Sequence, residues 1–519
     1  MKKSLVLFSF AVFLTGACQG PAPDSLDTTA TPEGPGQVKV ITSGSFAAAF
    51  NILGPLFGQA TGIEVITEYG SSMGGGPESI PVRLESGETA DLLIFNGRAF
   101  DDIAATGHIR SATRVDLARS VVGMAVRSGA PKPDISTREA FIETLRAAQS
   151  IGYSASVSGT YLSTVVFPEL GIWEEIEPKT ERIVTERVAS VVARGEVEIG
   201  FQAMSEILPI EGADFAGTIP DDLQQVTTVL VVMTERMANP EAAQRLIEFL
   251  ASEAVAPVIR STGLMPEANP LETAATPERS QQVKVITSGG FTAAFDILGP
   301  LFAQATGIGV ITEYGSSMGG GPESIPVRLA RGETADILIL NRPPLDELTE
   351  AGYIRPATRV DLVRSVIGMA VRSGAPKPDI STREALIATL LAADSIGYSA
   401  SVSGTYLSTV ILPELGIWEE IEPKTKRIVT ERVASVVARG EVEIGFQQIS
   451  AILPIEGADF AGTIPDELQQ PSTFSTGIME RADNPEAARR LIEFLSSEAV
   501  ASIVESTGLR PVVWEQDQQ

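Results

Sequence analysis

Tyr69-Gly70-Ser71-Ser72-Met73-Gly74-Gly75-Gly76-Pro77-Glu78-Ser79 occurs twice in this chain. It returns letter for letter as Tyr314-Gly315-Ser316-Ser317-Met318-Gly319-Gly320-Gly321-Pro322-Glu323-Ser324, 245 positions later. A β-like apolar run precedes each copy (Ile63-Glu64-Val65-Ile66 and Ile308-Gly309-Val310-Ile311), and a helix-compatible run follows (Ile80-Pro81-Val82-Arg83-Leu84). Strand, small hydroxyl and glycine residues, then helix is the order that points backbone N–H groups at a bound anion. Glycine lets the backbone come close, and serine adds a neutral donor. A Gly-rich turn alone is more often only a turn, so the surrounding chain has to decide.

Outward from that stretch the same order recurs. Val38-Lys39-Val40-Ile41 reads as a strand and Thr42-Ser43-Gly44-Ser45 as a turn. Phe46 to Ala60 then carries apolar residues at helical spacing, stopped by Thr61-Gly62. Asp91-Leu92-Leu93-Ile94-Phe95 is a buried-type strand. Ile151-Gly152-Tyr153 is a strand, Ser154 to Thr160 a hydroxyl-rich turn, and a helix begins near Tyr161. Strands alternating with helices predict an α/β protein with parallel sheets. Pro131 and Pro133 mark an exit from a first lobe, and Val229-Leu230-Val231-Val232-Met233 a return to it.

From Val283 the whole programme starts again, in constant register through Gly508-Leu509. This is the duplication of a complete domain, not a solenoid of short repeats. It divides the chain into a domain at 38–266 (second lobe about 130–225), a polar linker at 267–282, a second domain at 283–511 (second lobe about 375–470) and a tail at 512–519. The copies differ at Val229-Leu230-Val231-Val232, which becomes Phe474-Ser475-Thr476-Gly477. That return strand is polar and Gly-interrupted, so it is expected to be less well packed.

The totals narrow the function. A chain of 519 residues with a net charge of −27 argues against nucleic acid and against adhesion to anionic lipid, both of which need basic patches. Met1-Lys2-Lys3 followed by the apolar run Leu5 to Leu14 reads as a secretion signal. It ends at Leu14-Thr15-Gly16-Ala17-Cys18. This is similar to a bacterial lipoprotein signal, in which the cysteine is lipidated, although Thr15 stands where leucine is usual. Residues 1–18 are thus expected to be a signal, Cys18 a lipid anchor and 19–37 a flexible tether, which places the protein in the periplasm or cell envelope.

The single histidine, His108, becomes Tyr353 in the second copy, and Cys18 is the only cysteine. A Ser–His–Asp triad, a His-liganded zinc and a cysteine nucleophile are therefore not expected, nor any metal or cofactor. What remains are three hydroxyl-rich strand-to-helix turns per copy: 42–45, 70–76 and 154–160. They make Ser43, Ser45, Ser72, Ser158 and Thr160 the candidate ligand contacts, with Ser288, Ser317, Ser403 and Thr405 in the second copy. Neutral donors gathered at helix starts can hold an anion without a countercharge. Arg83 and Arg328 fit an exposed helix face, and Trp173 and Trp418 fit core packing.

Each copy resembles a bacterial periplasmic solute-binding protein of the molybdate-binding type. Ile41-Thr42-Ser43-Gly44-Ser45-Phe46, Glu68-Tyr69-Gly70-Ser71-Ser72, Glu85-Ser86-Gly87-Glu88-Thr89-Ala90-Asp91, Val192-Ala193-Arg194-Gly195-Glu196 and Asn239-Pro240-Glu241-Ala242-Ala243 carry the likeness. The resemblance implies two tandem copies of a two-lobed periplasmic-binding-protein fold, each lobe an α/β sheet, with a hinge of two strands. It implies a small oxyanion, molybdate- or tungstate-like, in the cleft between lobes, and delivery to an inner-membrane ABC permease. It places oxyanion contacts on Ser45, Ser72, Ser158 and Thr185, and on Ser317, Ser403 and Thr430. Two departures stand out. Ser45 becomes Gly290, so the second copy is expected to bind more weakly or differently. Gln202-Ala203 and Gln447-Gln448 replace a tyrosine often found there. Two other readings stay open: an enzyme on the same fold, and an envelope sensor or structural protein that has kept the fold without transport.

Overall fold

Each copy builds two sheets, and the path between them decides where the functional ends of the strands lie. The computed structural model describes residues 36–73, 76–267, 282–318, 321–429 and 431–512. Cys18 and the expected signal, tether and linker lie outside them, apart from the tether's last two residues, Gly36 and Gln37, and the linker's terminal residues, Glu267 and Gln282. The first sheet has six strands in the order β11-β4-β10-β3-β1-β2. These are β1 (Gln37–Thr42), β2 (Glu64–Tyr69), β3 (Leu92–Asn96), β4 (Val115–Ser120), β10 (Thr227–Met233) and β11 (Met265–Pro266). The second has five in the order β7-β6-β8-β5-β9: β5 (Val122–Arg127), β6 (Ile151–Ser154), β7 (Thr180–Ile183), β8 (Ile199–Ala203) and β9 (Ala213–Thr218). The second copy repeats both sheets with the equivalent strands. The expected α/β class, duplication and two-lobed plan are all present.

The directions follow from the pairings. β1 runs parallel to β2 and β3, while β10 is antiparallel to both β3 and β4, so β4 points the same way as β1, β2 and β3. The chain leaves the carboxyl end of β4 at Ser120 and enters β5 at Val122, with only Val121 between. The carboxyl ends of β1 to β3 therefore share the edge that faces the second sheet. There β5 is antiparallel to β8, and β8 is parallel to β6, itself parallel to β7. Hence the carboxyl ends of β6, β7 and β8 face the first sheet. Every strand-to-helix turn singled out above lies on one of these two facing edges.

The crossing point corrects one expectation. Val122–Arg127 belongs to the second sheet, so the lobe boundary falls at Val121, and Pro131 and Pro133 lie inside the second lobe. Gln224 ties the two crossing segments together. Its Nε2 donates to Val122 O at 2.7 Å and to Ile219 O at 3.1 Å, and its Oε1 accepts from Val122 N at 2.9 Å. Gln469 repeats these bonds in the second copy. A polar side chain satisfied on both strands holds the hinge without stiffening it by bulk packing.

The second correction concerns the return strand Ser472–Ile478. It is as buried as its apolar counterpart. Ser475 Oγ donates to Asp361 Oδ1 at 2.6 Å and Thr476 Oγ1 to Leu338 O at 3.0 Å, so each hydroxyl finds an acceptor instead of leaving a gap. Gly477 leaves room for Ile354, whose Cγ2 stands 2.6 Å from where a Cβ would be.

The two copies share one apolar core. Phe50, Leu53 and Phe57 of the helix Gly44–Thr61 lie in the same buried cluster as Phe295, Leu298 and Phe302 of the helix Thr292–Thr306. Arg245 Nη2 donates to Ala305 O at 3.3 Å, and Arg490 Nη2 donates to Ala60 O at 3.2 Å. Each copy thus places a cation on the last turn of the other's first helix, where carbonyls lack partners and the dipole is negative. The reciprocity is that of an isologous dimer. No helix among the described residues is long and apolar enough to cross a membrane.

A protease site inserted within 268–281 tests how far this interface holds on its own. After cleavage the halves are expected to co-elute on size exclusion as one species. Arg245→Ala with Arg490→Ala should cost about 0.5–1.5 kcal/mol per lost bond. Separation of the cleaved wild-type halves at micromolar concentration would rule out a self-sufficient interface.

Candidate functional site

At the first turn, Ser43 N donates to Ile94 O at 2.7 Å, which ends β1 beside β3. Ser43 then takes extended backbone as the N-cap of Gly44–Thr61. The amides of Gly44 and Ser45 fall in the first helical turn and have no acceptor within the helix. Ser43 is buried, and its Oγ lies 2.8 Å from Ser45 Oγ. One hydroxyl of that pair keeps a proton to give elsewhere.

At the second turn, Ser72 Oγ accepts from Asn96 N at 3.0 Å, which leaves its own O–H free. Ser71 Oγ donates to Met73 O at 2.9 Å, and Ile80 N donates to Ser71 O at 2.9 Å. The turn is thereby folded back onto the start of the helix Ile80–Glu85. Ser79, its N-cap, has a buried hydroxyl without a partner.

At the third turn three hydroxyls converge. Ser154 Oγ lies 2.6 Å from Ser156 Oγ and 3.3 Å from Ser158 Oγ, with 3.1 Å between the last two. Gly159 is dictated by this approach: a Cβ there would stand 1.8 Å from Ser154 O. The helix Val157–Tyr161 can sit this close to β6 only with no side chain at that position. It runs on through a π-helical turn, Leu162–Val166, into Phe167–Glu169, so it starts earlier than the expected Tyr161.

Ser43, Ser45 and Ser72 thus sit at the carboxyl edge of the first sheet, and Ser158 and Thr185 at the facing edge of the second. Thr185 is exposed just past β7. Thr160 is exposed further along the helix and does not join the serine cluster. In the second copy Ser317 Oγ accepts from Asn341 N at 3.2 Å, and Ser403 Oγ lies 3.0 Å from Ser401 Oγ. Ser288 is buried with no partner for its hydroxyl, Thr405 is exposed, and Thr430 lies outside the described residues. A shallow concavity bounded by Pro133, Thr144 and Glu198 lies at the amino end of β8, on the edge away from the first lobe.

Arg83 and Arg328 are not exposed, which corrects the reading of their helix face. Arg83 pairs with Glu68 and Glu88 and donates through Nη1 to Tyr69 O at 3.0 Å; Arg328 repeats this with Glu313, Glu333 and Tyr314 O. They brace the strand that leads into the serine-glycine turn. The tyrosine of that stretch is itself held: Tyr314 donates to Asp296 Oδ1 at 2.5 Å, and the bond pushes its pKa up to about 12.

Two features of the site go beyond the sequence reading, which took Gln202 and Gln447 only as replacements of a tyrosine. Gln202 and Gln447, at the carboxyl ends of their strands, are buried. Each Oε1 accepts from an amide at the start of the preceding helix, Ala189 N at 3.3 Å and Val433 N at 2.7 Å. Each Nε2 is left without a partner. The signal was a polar residue ending an apolar strand. Glu206, in the helix Met204–Ile207 that follows β8, is the other. Burial raises its carboxyl pKa, partly offset by the Arg187 guanidinium. Ala451 replaces it in the second copy. Among the described residues no cluster of His, Cys, Asp and Glu is arranged to hold a metal.

Comparisons with known proteins show the family of each copy. The family model described as bacterial extracellular solute-binding protein matches residues 38–265 and again 283–510. An aconitate isomerase of a Pseudomonas species is 41% identical over 228 residues, covering 44% of this chain and 87% of that protein. A molybdate-binding protein of Rhodobacter capsulatus is 23% identical over 241 residues, 45% of this chain and 90% of that one. Among solved structures, the substrate-binding domain of a putative molybdenum ABC transporter from Clostridium difficile is 18% identical, with a TM-score of 0.39, covering 44% of this chain and 99% of that one.

Two measurements follow from the site. Glu206 binds its proton more tightly folded than unfolded, so stability falls as pH rises from the ordinary carboxyl value near 4.3 through the raised one. Glu206→Gln should therefore raise the melting temperature at pH 8 and change it little at pH 4; an equal effect at both would sink the assignment. Gly159→Ala should lower the melting temperature by several degrees, and no change would contradict the close approach.

Proposed function

The chain belongs to the bacterial extracellular solute-binding proteins, and from that premise we propose that each copy closes its two lobes on a small anion and presents it to an ABC permease. The observation that carries the reading is the convergence of hydroxyl-lined helix starts on the two facing sheet edges. Ser45, Ser72, Ser158 and Thr185 are the proposed contacts in the first copy, and Ser317, Ser403 and Thr430 in the second. Ser43 and Ser288 support the first turn from beneath, and the Gln202 and Gln447 amides add a buried donor each. An oxyanion such as molybdate and a carboxylate both satisfy such donors. The higher identity to the aconitate isomerase than to the molybdate-binding relative favours an organic carboxylate. Export by the amino-terminal signal and anchoring through Cys18 complete the proposal, placing the binding domains outside the inner membrane.

A second reading is favoured by that 41% identity: an isomerase working in the same cleft. Moving the double bond of an unsaturated tricarboxylate takes a proton from the allylic CH2, shifts the double bond by one carbon, and returns a proton to the far carbon. No oxidant is needed. Glu206 is the candidate proton carrier in the first copy: burial makes its carboxylate a stronger base, which takes the allylic proton and, as the carboxyl, returns it to the far carbon.

A thermal-shift series with the full chain separates these outcomes. A true ligand at 100 times its Kd should add about 2.7 kcal/mol of stability. Molybdate, sulfate and trans-aconitate are the probes. Ser72→Ala and Ser158→Ala should each weaken binding about 10- to 100-fold, the range for a hydrogen bond to a charged partner. Proton NMR of trans-aconitate with the protein reports on the second reading: appearance of the cis isomer supports it, and an unchanged spectrum removes it. No response to any anion, with both serine variants unaffected, would overturn the cleft as a binding site.

A further inference from the structure

The two clefts are built from nearly the same residues, yet their polar inventories differ. In the first copy Val229 leaves room for Ser45, whose Oγ pairs with Ser43 Oγ. In the second, the ring of Phe474 fills that room: a Cβ on Gly290 would stand 2.0 Å from Phe474 Cζ. Ser288, 2% exposed, is left with no partner for its hydroxyl. A second exchange lies next to Ser317. In the first copy Asn96 Oδ1 accepts from Arg98 N at 3.1 Å. The second copy has Pro343 at that position, which carries no N–H, and Asn341 Oδ1 is buried without a partner. A third exchange concerns charge. Arg98 is exposed at the carboxyl end of β3 and makes no ion pair among the described residues. Arg342, one position earlier in the repeat, is engaged by Asp361 at 3.0 Å and by Asp346 at 4.0 Å.

Read as chemistry, the first cleft offers hydroxyl and amide donors plus a guanidinium at its edge. That set suits a ligand made of acceptors alone and carrying more than one negative charge. The second keeps the donors Ser317, Ser403 and Gln447, but adds an unsatisfied acceptor in Asn341 and loses the hydroxyl whose room the buried Phe474 ring now fills. A buried acceptor without a partner costs free energy that only a donor relieves, and it repels a second carboxylate. Resting on the reading of these clefts as ligand sites, we infer that the two copies take different ligand classes: the first a polycarboxylate, the second a monocarboxylate that brings a hydroxyl or amine donor.

Calorimetry on the full chain tests this with tricarballylate, a saturated tricarboxylate, and mandelate, a hydroxy monocarboxylate. Three variants are compared with the wild type, each first checked for an unchanged circular dichroism spectrum. Ser72→Ala with Ser158→Ala should abolish tricarballylate binding and spare mandelate; Ser317→Ala with Ser403→Ala should do the reverse. Gly290→Ser with Phe474→Val should bring tricarballylate stoichiometry from one toward two. Arg98→Gln, a surface change that leaves the fold alone, should weaken tricarballylate about tenfold, the loss of one charged contact. Binding of both probes at two sites per chain, or loss of both with the same serine pair, overturns the inequality while keeping the clefts. Absence of heat from either probe, together with no thermal response to any anion, overturns the clefts themselves and this inference with them.

Discussion

A single residue, Val121, separates the end of one strand from the start of the next in a different sheet. That economy fixes which edges of the two sheets face each other. With β4 parallel to β1, β2 and β3, and β5 antiparallel to β8, the chain has no freedom over which strand ends meet. The carboxyl ends of two parallel sets face each other, and those are the ends from which helices start. Helix starts carry amides that the helix cannot satisfy. A molecule that brings several such starts to one gap has made a place for an acceptor. In an acidic protein this matters, because local dipoles have to act against the overall field.

The duplication adds a second constraint on the same helix. Gly44–Thr61 begins at the cleft and ends under Arg490 of the other copy. Its apolar face is shared between the two halves of one core. The first lobes are therefore locked to each other by packing, while each second lobe is attached through two crossing segments clipped by one glutamine. Opening and closing is thus expected of the second lobes, moving on a common base. A ligand that orders the start of the helix also acts on an element that the other copy holds at its far end.

Much of this was legible in the sequence, for reasons that can be named. The repeat at 245 positions and the serine-glycine turns are local patterns, and local patterns survive without coordinates. The lobe boundary did not, because Val121 to Val126 is one unbroken run without polar residues and nothing marks the change of sheet at Val121. Arg83 looked exposed because helical spacing says nothing about Glu68, a strand residue that reaches it from 15 positions away. Ser475 and Thr476 looked like packing faults because their acceptors, Asp361 and Leu338 O, are more than 110 residues distant in sequence. Gln202 read as the loss of an aromatic contact; only its buried, half-satisfied amide shows that a polar donor took the place.

The differences between the copies carry a last piece of physics. Gly290 and Phe474 are 184 positions apart, yet neither works without the other: a serine at 290 would strike the ring, and a valine at 474 beside Gly290 would leave a hole. The pair is a volume-conserving exchange of a hydroxyl for a buried aromatic ring. Random decay of an unused second site would remove donors one at a time and leave cavities or clashes behind. Here the volume is kept, Ser475 and Thr476 gain acceptors in the same strand, and Arg342 gains two acidic partners. Loss of some polar contacts with the packing kept is what a site shaped for a different ligand would show, and it is the physical ground for the inference that the second copy is not a relic of the first.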